Sequence, residues 1–388
     1  MDFDKVINRS NTNCLKYDFN QHYNKPKDVI PMWVADMDFK CSDEILNELH
    51  KKVDHGIFGY SNIDDDYFDA IKKWYQKYFN VTLKQEWLIT TPNAGFALAT
   101  TVKIFTEVND YVLITNPVYY AFTEVVTDNK RNIVSSDLIL KNGHYEIDFD
   151  DFENKIKQYK VKLFMLCSPH NPVGRVWSKE ELNKIIEICK KYNVFIISDE
   201  VHCDFAWNNN HHCLLEHQEY QDHIILCTSP VKTFNLAGLQ VSNIFIPNDN
   251  IRDKFQNELW NTGYSLINIM GLIACKAGYQ KGEHWLNEVK KYILENIKYV
   301  DKFLKDKLPK IKLIYPEGTY LLWLDFNELN LSDDELENIL LNEAKIWLDS
   351  GKKFGDTGKC FQRMNIALPK TQLKKALLQL EKAFKKYM

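Results

Sequence analysis

The chain holds nine cysteines among its 388 residues, yet no two of them stand as Cys-x-x-Cys. They read as reduced thiols and not as a disulfide framework. No uninterrupted apolar run approaches the ~20 residues of a membrane helix, and the start Met1-Asp2-Phe3-Asp4-Lys5 does not have the pattern of a signal peptide. The expectation is a cytoplasmic protein with no membrane contact. There is no Gly-x-Gly-x-x-Gly, no P-loop and no internal repeat, so a nucleotide site has no support. The formal net charge is −4 and lysines are scattered among acids, which gives no footprint for nucleic acid. His211-His212-Cys213 has the residue types of a metal site. Its neighbours, Trp207 and Asn208 to Asn210, suggest an exposed loop instead, and no metal is expected there.

What is present is ordinary globular composition, 45% hydrophobic and 26% charged, in a chain long enough for two domains. Strand-like apolar runs alternate with helical patterns across residues 46–285, the signature of an α/β sheet domain. Beyond it a long helix places Leu286, Val289, Ile293, Ile297, Val300 and Leu304 on one face. Short strands near Lys312 to Tyr315 and Tyr320 to Asp325 follow, then an amphipathic helix with Leu373, Leu377, Leu380 and Phe384. Residues 286–388, joined by an arm of residues 1–45, make the expected smaller α+β domain.

The chemistry gathers where apolar runs end. His223 to Thr228 leads into Ser229-Pro230-Val231-Lys232, a lysine just past a strand with a hydroxyl three residues before it. Val194 to Ser198 ends in Asp199-Glu200, followed by His202. Lys162 to Cys167 runs into the proline-bracketed turn Ser168-Pro169-His170-Asn171-Pro172, and Tyr111 to Thr115 runs into Asn116-Pro117-Val118-Tyr119-Tyr120. Ile89 to Thr91 opens through Pro92-Asn93-Ala94-Gly95 into a helix start, whose free N–H groups suit a phosphate. Each piece alone has a bland reading: a solvated lysine, a helix-capping acid, an ordinary Asn-Pro turn. Together they offer an amine able to form an imine and a carboxylate able to hold a protonated pyridine nitrogen. They add an amide for a ring oxygen, an aromatic to stack and a cup for phosphate. In open α/β sheets ligands sit outside the carboxyl ends of strands, so the set fits pyridoxal 5′-phosphate (PLP).

With these residues in view the chain resembles fold-type I PLP enzymes of the class I/II aminotransferase superfamily, and more narrowly the MalY/PatB-type carbon–sulfur β-lyases. The narrower likeness rests on Pro31-Met32-Trp33-Val34-Ala35-Asp36-Met37-Asp38-Phe39, on Asp199-Glu200-Val201-His202-Cys203-Asp204 and on Lys232 to Gln240. Pro316 to Asp325 and Arg363-Met364-Asn365-Ile366-Ala367-Leu368-Pro369 carry it further. The resemblance implies Lys232 as the Schiff-base lysine, Asp199 at the pyridinium nitrogen, Asn171 and His202 beside the ring oxygen, and Tyr119 stacked on the ring. It implies Ala94, Gly95 and Ser229 at the phosphate, with Tyr60 reaching over from a second subunit of a homodimer. Arg363 would clamp the substrate α-carboxylate, with Asn171 and Ala35 also at the substrate. Three positions depart from the superfamily's habit: Gln240 where an arginine is usual, Val231 where a hydroxyl is common, and Asn93-Ala94-Gly95-Phe96 in the phosphate turn.

The implied activity is α,β-elimination from an L-amino acid with sulfur on its β-carbon, giving pyruvate, ammonia and a thiol. Lys232 would serve as general base and Tyr119 as a candidate to assist the leaving group. An aminotransferase needs the same residues, and a regulatory protein that binds PLP is the third possibility.

Overall fold

The computed structural model describes residues 1–207 and 211–388. Seven strands form the central sheet: β1 (Leu88–Thr91), β2 (Tyr111–Ile114), β3 (Asn132–Ser135), β4 (Leu163–Cys167), β5 (Phe195–Asp199), β6 (Ile224–Thr228) and β7 (Ser242–Phe245). Their spatial order is β1-β7-β6-β5-β4-β2-β3. Only β7 runs against its neighbours; the other six point the same way. Their carboxyl ends therefore share one edge of the sheet.

Side chains alternate across this sheet as strand geometry requires. Phe164, Leu166, Ile196, Leu226 and Phe245 join one apolar core. Leu163, Met165, Cys167, Ile197, Ile225, Cys227 and Ile244 join another on the opposite face. Burial on both faces explains why β4, β5 and β6 read as continuous apolar runs. Local signals then fix where a strand begins. The helix Lys179–Tyr192 opens on a Ser178/Glu181 capping box and stops at Asn193 in the left-handed region, which releases the chain into β5 and so sets the position of Asp199.

A second, antiparallel sheet contains β8 (Lys312–Ile314), β9 (Leu321–Asp325), β10 (Asp349–Ser350) and β11 (Phe361–Asn365), in the order β8-β9-β11-β10. The helix Glu283–Lys307 buries all six residues of its sequence stripe, from Leu286 to Leu304. The N-terminal segment belongs with this part of the molecule. Ile30–Pro31 pairs in parallel with Ile346–Trp347, and Trp33 stacks on Trp347 with ring centroids 4.3 Å apart. Asn365 then stitches the segment down, its backbone N–H donating to the Met32 carbonyl and its amide to the Val34 and Asp36 carbonyls.

The expectation of an exposed loop around His211 fails. Asn208 to Asn210 lie outside the described residues, but His211 and Cys213 are buried. His211 Nε2 lies 2.6 Å from the buried Glu200 carboxylate, and Trp207 donates its indole N–H to the Thr319 carbonyl. A buried acid needs a partner, and polar neighbours in sequence gave no sign of this one. No helix among the described residues is long and apolar enough to cross a membrane.

Candidate active site

A cavity of about 440 Å³ opens at the shared edge of the large sheet. That size falls within the range of small-molecule sites. Ala35, Ala94, Gly95, Tyr119, Asn171, Asp199, His202, Ser229 and Lys232 all line it, together with Cys167, Val231 and Gln240. Two of the expected residues stand elsewhere. Arg363 lies behind Asn171, and Tyr60 is 98% exposed.

Lys232 sits in a single helical turn, Pro230–Thr233, with Ser229 as N-cap. Its amine donates to the Ala35 carbonyl at 2.7 Å. Burial pushes this amine down to about 8, against the opposing pull of the Asp36 carboxylate. The turn is pinned from beneath, because the Thr233 hydroxyl donates to Asp204 Oδ2 at 2.6 Å and the Trp74 indole donates to Asp204 Oδ1 at 2.9 Å. It is also tied to the N-terminal segment. Asn235, in the left-handed region, donates through Nδ2 to the Met37 and Phe39 carbonyls and accepts from the Met37 N–H.

Asp199 ends β5 with one backbone partner, the Val201 N–H at 3.3 Å. Burial raises its carboxyl to about 6. His202 is buried and held well below its ordinary range by desolvation, hence neutral at pH 7, and its Nδ1 has no partner among the described residues. Asn171 Oδ1 accepts from Arg363 Nη1 at 3.0 Å, which orients the amide and leaves its N–H groups as donors. Its backbone carbonyl accepts from the Tyr119 N–H, so the aromatic and the amide are set by one bond.

The helix Ala94–Phe105 begins at the cavity, with Asn93 capping the Phe96 N–H. Among the described residues the Ala94 and Gly95 N–H groups have no acceptor, as expected of the first turn of a helix, and an anion suits them. Ser229 differs from expectation. Its hydroxyl donates to the Val241 carbonyl at 2.6 Å and accepts from the Val231 N–H, so its hydrogen is already committed to holding the lysine turn.

Sequence reasoning missed the supporting groups: Asp204, Asn235, Tyr320, whose hydroxyl shares the Ala35 carbonyl with Lys232, and Asp349, which pairs with Arg363. Asp204, Asn235 and Tyr320 fall within blocks that carry the family resemblance, but nothing local gave them a role, and Asp349 lies outside every motif. The residues present suit PLP. The cavity presents a desolvated amine, a buried carboxylate short of donors, an orphaned neutral imidazole and an open helix start.

An open sheet with six co-directional strands, and a partly buried lysine and a buried carboxylate at their carboxyl edge, defines the fold of type I PLP-dependent enzymes. The chain belongs to the aminotransferase class I and II family, whose model matches residues 27–380. It is 38% identical to cystathionine beta-lyase PatB of Bacillus subtilis (strain 168) over 385 residues, covering 99% of this chain and 100% of that one. Cystalysin of Treponema denticola, solved with PLP, superposes with a TM-score of 0.96 at 36% identity, over 100% of this chain and 99% of that chain. A PLP-bound protein of Clostridium difficile 630, described as an aminotransferase, superposes at 0.95 with 40% identity, over 98% and 99% of the two chains.

Proposed function

We propose that this chain is a PLP-dependent carbon–sulfur β-lyase that acts on cystathionine- or cysteine-type amino acids and yields pyruvate, ammonia and a thiol. The full-length match to a cystathionine beta-lyase carries the reading. PLP bound in this cavity would supply a sink for the electron pair left when a substrate loses its α-proton. Lys232 is the residue to carry the cofactor and then take that proton. Its amine is shifted toward neutrality, and a general base works best with a pKa near the operating pH. Asp199 would pair with the ring nitrogen, Asn171 and His202 would flank the ring oxygen, and Tyr119 would cover the ring. Ala94 and Gly95 take the phosphate through their N–H groups. Arg363 reads the α-carboxylate, and Ala35, whose carbonyl holds the resting amine, stands beside the substrate.

The active unit is a homodimer. Ile57, Phe58 and Tyr60 expose 64%, 57% and 98% of their surfaces in succession, which is costly in an isolated chain, and Tyr60 of a second copy completes the phosphate cup. We place the reaction in the cytoplasm, where nine free cysteines remain reduced. Residues 1–45 and 286–388 act as the smaller unit that closes over residues 46–285.

Transamination is the second reading, favoured by the likeness to the Clostridium difficile protein. Incubating the PLP-loaded protein with L-cystathionine and no keto acid separates the two. Pyruvate and homocysteine released together are expected; amino-group transfer only after a keto acid is added would overturn the lyase reading.

A further inference from the structure

Arg363 has five N–H groups to give, and three are already placed. Both Nη2 hydrogens are used, one on the Trp33 carbonyl at 2.8 Å and one on Asp349 Oδ2 at 2.7 Å, while Nη1 donates to Asn171. A carboxylate gripped by two parallel bonds needs Nη2 together with either Nη1 or Nε. A substrate carboxylate therefore enters by exchange at Nη2. The neutral Trp33 carbonyl is the weaker of the two holders. Asp349 is the fixed one, because it stands directly opposite Arg363 in the β10–β11 register and both side chains are almost wholly buried.

Asp349 has a second cation on its other oxygen, since Lys353 Nζ approaches Oδ1 at 2.8 Å. Lys353 is half exposed and lies over the rings of Trp33 and Tyr120. The charges thus alternate inward from the surface as Lys353, Asp349 and Arg363. The Lys353–Asp349–Arg363 row carries a net charge of +1, complementary to one carboxylate. Without Asp349 the guanidinium would keep only two neutral acceptors, the Trp33 carbonyl and Asn171 Oδ1, to fix its direction. We propose that Asp349, backed by Lys353, is a positioning residue that aims Arg363 and sets its selectivity for a single α-carboxylate. The inference rests on the reading of Arg363 as the α-carboxylate clamp.

The test uses the PLP-loaded enzyme and two readouts: kcat and KM for L-cystathionine, and competitive inhibition by propionate, a carboxylate without an amine. Asp349→Asn keeps the shape and removes the counter-charge. KM and the propionate inhibition constant should both rise by about 10-fold, with kcat held within about twofold. A general structural role would lower kcat and disturb the cofactor absorbance as well, and that result would overturn the proposal. So would a KM and an inhibition constant that stay within about twofold of the starting protein. If Asp349→Asn fails to fold, Lys353→Gln at the solvent end of the chain should raise both constants about threefold, and no change there would overturn the idea. Arg363→Lys separates the two readings. Unaltered propionate inhibition in that variant defeats the clamp reading itself. Lost inhibition there, with none lost in Asp349→Asn, defeats only the role of Asp349.

Discussion

At the scale of single residues, the site is built against the folding preference of its own side chains. Lys232 is largely desolvated, so folding without cofactor shifts its amine toward neutrality, while the unfolded chain keeps an ordinary lysine. The depressed folded value of about 8 fixes the sign. Below pH 8 both states bind the proton and the full cost of the buried charge is present. Between pH 8 and the ordinary lysine value the unfolded state holds more protons, so stability rises with pH and the cost is relieved. Removing the amine with Lys232→Met should therefore stabilise the cofactor-free protein at pH 7. The gain should be about 2 kcal/mol, water in the open cavity having screened part of the shift. It should fade as pH climbs from 8 toward 10.5, the ordinary lysine value. Thermal unfolding of the two cofactor-free proteins across that range checks it, and a gap that widens with pH would refute the argument. The same variant should lose turnover entirely.

At the scale of elements, helix Ile269–Lys281 shows packing overriding propensity. Replacing a helical glycine with alanine ordinarily stabilises by about 1 kcal/mol. At Gly278 an added Cβ would meet the Phe234 ring at 2.6 Å, and that ring is fully buried two residues from Lys232. Gly278→Ala should thus be destabilising by a net ~1–2 kcal/mol, the overpacking outweighing the propensity gain. It should also lower activity, because the lysine turn has to move with Phe234. A raised thermal midpoint would show that the ring can yield. The elements most readable in the sequence were β4, β5 and β6, because burial on both faces leaves an unbroken apolar run. Strand β7 is as deeply buried, yet Ser242-Asn243-Ile244-Phe245 opens on two polar residues, which breaks the apolar run, and gives no sign of its reversed direction.

At the scale of the whole molecule, the two sheets meet through the N-terminal segment. Residues 30–39 pair with Ile346–Trp347, bond to Asn365 of the small sheet, and reach the lysine turn of the large sheet through Asn235 and the bond from Lys232 to Ala35. If Arg363 clamps the substrate as proposed, a carboxylate displacing the Trp33 carbonyl would act on this same segment and would give the proposed closure a mechanical route from substrate to lysine. Assembly is the other property at this scale. Phe58→Asp places a charge on the exposed apolar run and should convert the proposed dimer into monomers, weakening cofactor binding at least about 10-fold through loss of the second copy's Tyr60. Analytical ultracentrifugation with PLP titration reads both effects. A monomer with unchanged PLP affinity would remove Tyr60 from the site.

The sequence by itself determined the α/β class, the strand ends that bear chemistry and the side chains that ring the cavity. Strand burial and strand-end chemistry are local patterns, written within a few consecutive residues. Only the tertiary structure decided what those side chains rest on: Ala35 beneath Lys232, Asp204 beneath Thr233, Glu200 against His211 and Asp349 against Arg363. A lone aspartate in a short strand, or a histidine among asparagines, looks in sequence like any solvated surface group. Such a residue acquires its partner when distant segments pack and desolvate it, and periodicity carries no record of that event.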